Sequence, residues 1–152
     1  MSPRLLFRTV AIAEAITWTG LIAGILLRNL AGWDLAVLVA GSAHGLVFLT
    51  YAATSVLVGT NQRWGLPLIA LGVATAVVPY ATIPFDIVID RKGRLEGGWR
   101  RDETDDPRDR TWRDRLTRWL LRRPALLVVV FVFAVLAIMT VLLVIGPPGG
   151  WR

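Results

Sequence analysis

The sequence predicts an all-α membrane protein: a bundle of four transmembrane helices, three in a core and a fourth at its periphery, with a basic amphipathic helix beside the membrane. Hydrophobic residues make up 55% of the 152 positions, and they fall in four long blocks. These blocks are about twice as long as a barrel strand and lack its alternation, which favours helices. Short linkers join the first three blocks, and short linkers place consecutive helices side by side and antiparallel.

Each block is long enough to span a bilayer, because ~20 mostly apolar residues cross ~30 Å of hydrocarbon. The spans are predicted at about 6–27, 35–58, 66–89 and 125–145. A cleaved signal peptide is the alternative for the first block, but its apolar stretch is too long and contains Glu14. The chain therefore divides into a three-span core (1–90), a linker (91–123) and the fourth span with a short tail (124–152).

The linker is predicted to begin as a flexible acidic loop and to continue as a helix from Pro107 to Arg123, capped by Asp106. Trp112, Leu116, Trp119 and Leu120 share one helical face, and arginines cover most of the rest, as in helices that lie at lipid headgroups. The candidate headgroup-binding residues are Arg108, Trp112, Arg115, Arg118, Trp119, Arg122 and Arg123. The helix either anchors topology or binds anionic lipid or an acidic partner, and the acidic run could fold back on the arginines.

Basic residues predict the orientation in a bacterial plasma membrane. The chain has sixteen Arg and one Lys. If all four blocks cross the membrane, thirteen of these basic residues lie on the same side as the linker and four lie on the other side. This count predicts a cytoplasmic linker and both termini outside, although Arg4 and Arg8 favour the opposite direction. The net charge of +6 lies beside apolar spans, so anionic lipid is the expected partner rather than nucleic acid.

Glu14 in the first block and His44 in the second are ionisable groups at membrane depth, which by default suggest a site. His44 is expected about two helical turns deeper than Glu14, so Thr17, Tyr51 or water would bridge them. Glu14 either holds helices in register or binds a proton or cation. His44 either makes an interhelical hydrogen bond, for example to Tyr80 or Thr75, or serves a haem or a proton relay.

Small residues and prolines complete the predicted membrane core. Gly20–Gly24 and Gly41–Gly45 are small-xxx-small pairs that permit close helix packing. Pro79 and Pro84 are expected to kink the third span. The candidate intramembrane polar site comprises Arg8, Glu14, Thr17, His44, Tyr51, Pro79, Tyr80 and Thr82.

Few kinds of chemistry are compatible with this residue set. Cysteine is absent from the sequence, which excludes disulfides and thiol chemistry. Ser42 and His44 point apart on a helix, so they cannot pair as nucleophile and base. No metal and no cofactor is predicted, although a single axial histidine leaves haem possible.

The segments 7–18, 43–51 and 77–82 resemble a small bacterial integral-membrane family of unknown function, best represented in actinobacteria. That family is typed by an Arg and a Glu in its first span, a His-Gly pair in its second and a Val-Pro-aromatic-x-Thr segment in its third. The matching positions here are Arg8, Glu14, His44, Gly45, Pro79 and Thr82. The resemblance covers about 5–90, and it implies no biochemical activity.

These observations lead to three functional hypotheses. The first is a non-enzymatic accessory or scaffold subunit that associates with itself or with a larger membrane complex. The second is a proton-coupled carrier or permeation pathway that uses Glu14 and His44. The third is a haem- or quinone-associated membrane protein.

Overall fold

The computed structural model describes residues 1–145, without the side chains at positions 108, 142, 143 and 145. Within this range the regular structure is helical. Six α-helices occur in the order α1 (Pro3–Ala31), α2 (Asp34–Asn61), α3 (Leu66–Thr75), α4 (Thr82–Arg91), α5 (Trp112–Leu121) and α6 (Pro124–Ile145), with a 3-10 turn at Pro107–Arg110. By length and composition, three of these helices, α1, α2 and α6, could cross a membrane.

Helices α1 and α2 form an antiparallel pair with a tight connection. Helix α1 starts with Pro3 in its first turn, after Ser2, whose hydroxyl accepts a hydrogen bond from the Leu5 amide. It ends at Gly32, which has a φ of 67° and is therefore in the left-handed conformation that suits glycine. The chain then reverses directly into α2, as the short first linker predicted.

The third apolar block is not a continuous span, and this part of the predicted four-helix bundle is wrong. It consists of the ten-residue helices α3 and α4, separated by a turn at 76–81. Pro79 disfavours helix at the residue before it, and Tyr80 takes a φ of 64°, so the chain reverses. Each arm is ~15 Å long, about half the thickness of a hydrocarbon core. The block is thus a helical hairpin, which we call the α3–α4 hairpin.

The amino terminus and the linker lie at the same end of the α1–α2 pair. Arg4 Nη2 lies 2.7 Å from Asp90 Oδ2 at the end of α4, and Trp99 Nε1 donates to the Met1 carbonyl over 2.8 Å. The prediction that placed them on opposite sides assumed a third block that runs the full length of the bundle, whereas in the structure α4 brings the chain back to the end where α3 begins.

The linker packs against the base of α2 before α6 begins. Its helix α5 starts at Trp112, after the N-cap Thr111, rather than at Pro107 after Asp106 as predicted. Helix α6 contacts α2 and α5. Met139 of α6 lies against Gly45 of α2, so α6 runs antiparallel to α2 along its outer face.

An aromatic cluster forms the core at the linker end of the molecule. Phe7 of α1 and Tyr51 of α2 are fully buried, and their ring centroids lie 5.5 Å apart. Trp64 and Phe85 lie 5.7 Å and 6.2 Å from the Phe7 ring. This cluster joins α1, α2 and both ends of the α3–α4 hairpin.

Candidate functional site: a polar seam along helix α1

Helix α4 is attached to α1 by a ladder of polar contacts, which we call the polar seam: Arg4, Arg8 and Glu14 of α1 with Thr82, Asp86 and Asp90 of α4. Arg8 Nε lies 3.0 Å from Asp86 Oδ2, and Arg8 Nη2 lies 2.7 Å from Asp90 Oδ2. The α4 residues are spaced by four, which places them on one helical face. The two helices are antiparallel, so each rung meets a partner at its own depth.

Glu14 lies at the deep end of the seam and is fully buried. Thr82 Oγ1 lies 3.3 Å from Glu14 Oε2 and 3.1 Å from the Ala11 carbonyl oxygen, so one hydroxyl proton serves two acceptors. The other carboxyl oxygen, Oε1, is buried without a hydrogen-bond partner. Arg8 pairs with the aspartates of α4 and makes no contact with this carboxyl group. Glu14 therefore keeps an unused acceptor inside the protein.

His44 is connected to the seam through Thr17. Thr17 Oγ1 donates to the Glu14 backbone carbonyl over 2.9 Å and lies 3.2 Å from His44 Nδ1. Thr17 therefore lies between Glu14 and His44, as predicted. Its hydroxyl contacts the backbone carbonyl of Glu14, however, and not the Glu14 carboxyl group. The His44 ring also packs on Trp18, with centroids 4.4 Å apart, and on Phe48.

Two tyrosines connect the hairpin to the helix pair independently of His44 and Thr17. The Tyr51 hydroxyl lies 3.0 Å from Thr75 Oγ1 at the end of α3, and not beside His44. The Tyr80 hydroxyl lies 3.2 Å from Thr19 Oγ1 of α1. Pro79 is exposed in the turn and positions no polar group.

Trp18 was not singled out from the sequence, yet it secures the tip of the hairpin. Its Nε1 donates to the Ala76 carbonyl over 3.1 Å, and its ring covers His44. A non-helical turn at membrane depth exposes backbone groups that need such partners. Asp86 and Asp90 were likewise missed as partners of α1, although Arg4 and Arg8 carry the same four-residue spacing.

The predicted packing glycines occupy different environments. A Cβ at Gly24 would lie 3.0 Å from the Ala36 carbonyl oxygen, whereas one at Gly20 would meet nothing within 4 Å. Gly41 makes ordinary contact with Leu21, and Gly45 faces Met139 of α6. Gly59 was missed, although a Cβ there would lie 2.7 Å from Ile69 Cγ1.

Asp109 is the centre of an ion-pair cluster that attaches the linker to the base of α2. Its carboxyl group lies 2.5 Å from Arg63, 3.2 Å from Arg118 and 3.3 Å from Arg100. Hydrogen bonds from the Thr104 hydroxyl and amide, followed by the Arg63 contact, lower the pKa of Asp109 to about 2. Two residues of the acidic run at 102–106 also approach arginines of the helix, Asp102 at 3.4 Å from Arg122 and Glu103 at 3.9 Å from Arg118, which is the fold-back that the sequence offered as one alternative.

The residues predicted to bind headgroups fall into two groups. Trp112 and Trp119 are exposed on α5, together with Arg115, Arg122 and Arg123. Arg123 lies over the Trp119 ring, 4.7 Å from its centroid, and Arg122 approaches Asp102. Arg118 differs, because it is 6% exposed and its Nη2 donates to the Asp109 carbonyl. The side chain at position 108 lies outside the described residues.

Among the described residues, no group of three or more His, Cys, Asp or Glu side chains could hold a metal ion. What the polar seam can do chemically is to accept a proton or a hydrogen bond at Glu14 Oε1. Asp86 Oδ1 is likewise buried without a hydrogen-bond partner, whereas the other Asp86 oxygen, Asp90 and Thr82 hold α4 against α1.

Comparison with known proteins gives the class of this protein. A similar protein of Streptomyces coelicolor, named "Putative membrane protein", is 38% identical over 91 residues. The match covers 59% of this chain and 11% of that protein, so the chain spans about a ninth of the relative's length. With its three long apolar helices, this is a helical multi-pass membrane protein of unknown activity.

The family follows from a second comparison. The model described as Domain of unknown function (DUF3817) matches residues 5–91, more than half of the chain, and the chain belongs to this family. The resemblance to an uncharacterised membrane family over about 5–90 is therefore confirmed, and the linker and α6 lie outside the match. The typing by a His-Gly pair and the actinobacterial range stay predictions. No solved structure matches.

Proposed function

We propose that this chain is a non-enzymatic accessory module that associates with a larger membrane protein. The observation that carries the proposal is that its Streptomyces coelicolor relative contains the matched 91 residues as 11% of its length. In that relative the segment that matches this chain, which we call the unit, is a small part of a much longer chain. In this chain the linker and α6 follow the matched residues, and we propose that its association with the larger protein is non-covalent.

Contacts within the unit support this proposal. The polar seam closes the α3–α4 hairpin on α1, and the Trp99–Met1 contact closes the base. Contacts of its own therefore hold the matched segment together, as is needed for a module that is carried on either a long or a short chain. Helix α6 lies at the edge, with Phe133 74% exposed and Val135 4% exposed.

Site-specific cross-linking combined with native mass spectrometry tests the association. A photoreactive phenylalanine analogue at position 133 should link to a membrane protein that also remains bound, at fixed stoichiometry, in native spectra. The same analogue at position 135 should give no intermolecular product, because this side chain is buried within the chain. A protein that stays monomeric by both measurements would rule the proposal out.

For the orientation, we propose a cytoplasmic amino terminus and linker, with the far end of α6 outside. Arg4, Arg8, Arg63 and the linker lie at one end of the molecule, which thereby holds fifteen of the seventeen basic residues. The basic residues at this end now favour one direction, including the two at the amino terminus that opposed the four-span arrangement.

A second candidate function is proton-coupled transport, favoured by the buried Glu14 Oε1 that has no partner. Flux in proteoliposomes would be compared between wild type, Glu14→Gln and His44→Ala. Unchanged flux in both variants would reject this candidate. Haem ligation by His44 stays a prediction, and a Soret band in the visible spectrum of the purified protein tests it.

A further inference from the structure

The two arms of the α3–α4 hairpin enclose a groove of about 420 Å³. Its walls are apolar and are formed by residues of both arms, including Leu68, Leu71, Phe85 and Val88. Leu71 and Val88 are about half exposed, so the groove is open to the surroundings of the protein. An apolar groove open toward lipid accepts a hydrocarbon chain.

Two basic side chains lie at one end of this groove, which we call its mouth. Lys92 and Arg94 line it just beyond the end of α4, where the hairpin returns to the membrane surface. Arg94 is held in place, because its amide donates to the Ile89 carbonyl over 3.0 Å and its carbonyl accepts from Trp64 Nε1 over 2.9 Å. Gly93, at a φ of 67°, provides the sharp turn between them.

Among the described ion pairs, none joins an acidic group to Lys92 or Arg94. Asp90, two residues before Lys92, is paired with Arg4 and Arg8. Glu96 lies beside Gly93 and is not among the groove-lining residues. The ion pairs described for this protein leave Lys92 and Arg94 available to an anion.

We propose that this groove binds one acyl chain of an anionic phospholipid, whose headgroup phosphate contacts Lys92 and Arg94. The groove has the same polarity as a phospholipid: its cations would meet the headgroup, and its apolar walls would meet the acyl chain. The volume is at the lower end of the range of about 300–1,000 Å³ for small-molecule sites, so it holds a chain segment rather than a whole lipid. A zwitterionic lipid carries its own cation, and it would be bound less well by two positive side chains.

Native mass spectrometry of the full chain, released from vesicles of equal parts dioleoyl phosphatidylglycerol and dioleoyl phosphatidylcholine, tests the proposal. Wild type should retain phosphatidylglycerol in preference to phosphatidylcholine. The double variant Lys92→Gln/Arg94→Gln should lose this preference about tenfold. Arg91→Gln removes a charge from the same helix end without touching the groove, and it should change the preference less than about twofold.

A second variant pair tests the groove itself. Val88→Phe fills the space between the arms and should reduce retention of both lipids. Ile87→Phe is the matched control, because Ile87 is similarly exposed but does not line the groove. The proposal is overturned if the double charge variant behaves like Arg91→Gln, if Val88→Phe retains as much lipid as Ile87→Phe, or if a protein occupies the groove in place of lipid.

Discussion

At the scale of single residues, the hydroxyl group of Thr82 is the buried donor that joins α4 to α1. It contacts both the Ala11 carbonyl and the Glu14 carboxyl group. Thr82→Val preserves shape and leaves the buried Glu14 Oε2 without its donor, so we expect a loss of about 1–3 kcal/mol in the free energy of unfolding. Denaturant titration in mixed micelles measures it. Thr82→Ser should recover most of the loss.

A matched control for this substitution lies on α6. Thr140 is paired with the Leu136 carbonyl of its own helix and is exposed to the surroundings. Thr140→Val should therefore change stability by less than about 0.5 kcal/mol. If the two valine variants lose equal stability, Thr82 has no special role in the polar seam.

Gly24 and Gly20 make a second comparison at this scale. A methyl group at Gly24 would lie 3.0 Å from a backbone oxygen of α2, which cannot move without separating the helices. Gly24→Ala should cost about 1–3 kcal/mol, whereas Gly20→Ala meets open space and should be neutral or slightly stabilising. Equal losses in thermal unfolding would contradict the close α1–α2 contact.

At the scale of elements, the polar seam decides whether the α3–α4 hairpin stays against α1. Arg8 is 38% exposed and Asp90 is 14% exposed, so their interaction is partly screened. A double-mutant cycle with Arg8→Gln and Asp90→Asn should give a coupling energy of about 0.5–1 kcal/mol. The same cycle on Arg122 and Asp102, an exposed pair, should give a coupling close to zero.

The docked linker is the second element that can be tested, through its dependence on pH. The folded pKa of Asp109, about 2, lies below the ordinary value of 3.8. Asp109 therefore stabilises docking fully above pH 3.8, and this contribution is lost as the pH falls toward 2. We expect pepsin to cleave the linker of Asp109→Asn at pH 4 faster than that of wild type, and the difference to shrink near pH 2.

The control for the pH experiment is Asp102, whose carboxyl group is 90% exposed beside Arg122. Asp102→Asn should be cleaved at the wild-type rate throughout this range. Cleavage of Asp109→Asn at the wild-type rate at pH 4 would show that the cluster around Asp109 does not hold the linker.

At the scale of the whole molecule, the α3–α4 hairpin determines which parts of the chain lie at the same end. Four full spans would place Asn29 and Glu96 on the same side, whereas the structure places them at opposite ends. The sequence lacks cysteine, so single Asn29→Cys and Glu96→Cys variants give clean signals. A membrane-impermeant maleimide applied to intact cells should label the Asn29→Cys variant and leave the Glu96→Cys variant unlabelled. Labelling of both variants or of neither would contradict the hairpin.

The long apolar blocks were enough to predict α1, α2 and α6, because length and hydropathy alone indicate a helix that can span a membrane. The hairpin could not be predicted in this way, because two ten-residue arms have the same composition as one span. What distinguishes them is the reversal at Tyr80 and the long-range pairing of Asp86 and Asp90 with α1. Glu14 and Thr17 lie on α1 and His44 lies on α2, which are packed together as the short first linker predicted. The contacts of Trp18 and Gly59 were not identified from the sequence.

The dependence of the hairpin on α1 also implies an order of assembly in the cell. The tip of the hairpin relies on Trp18, and α4 relies on the Ala11 carbonyl and on Arg8, all supplied by α1. Neither arm is long enough to be integrated as a span of its own. We therefore expect α1 to be in the bilayer before the hairpin enters it, so the α3–α4 hairpin would be inserted after the helix on which its polar groups depend.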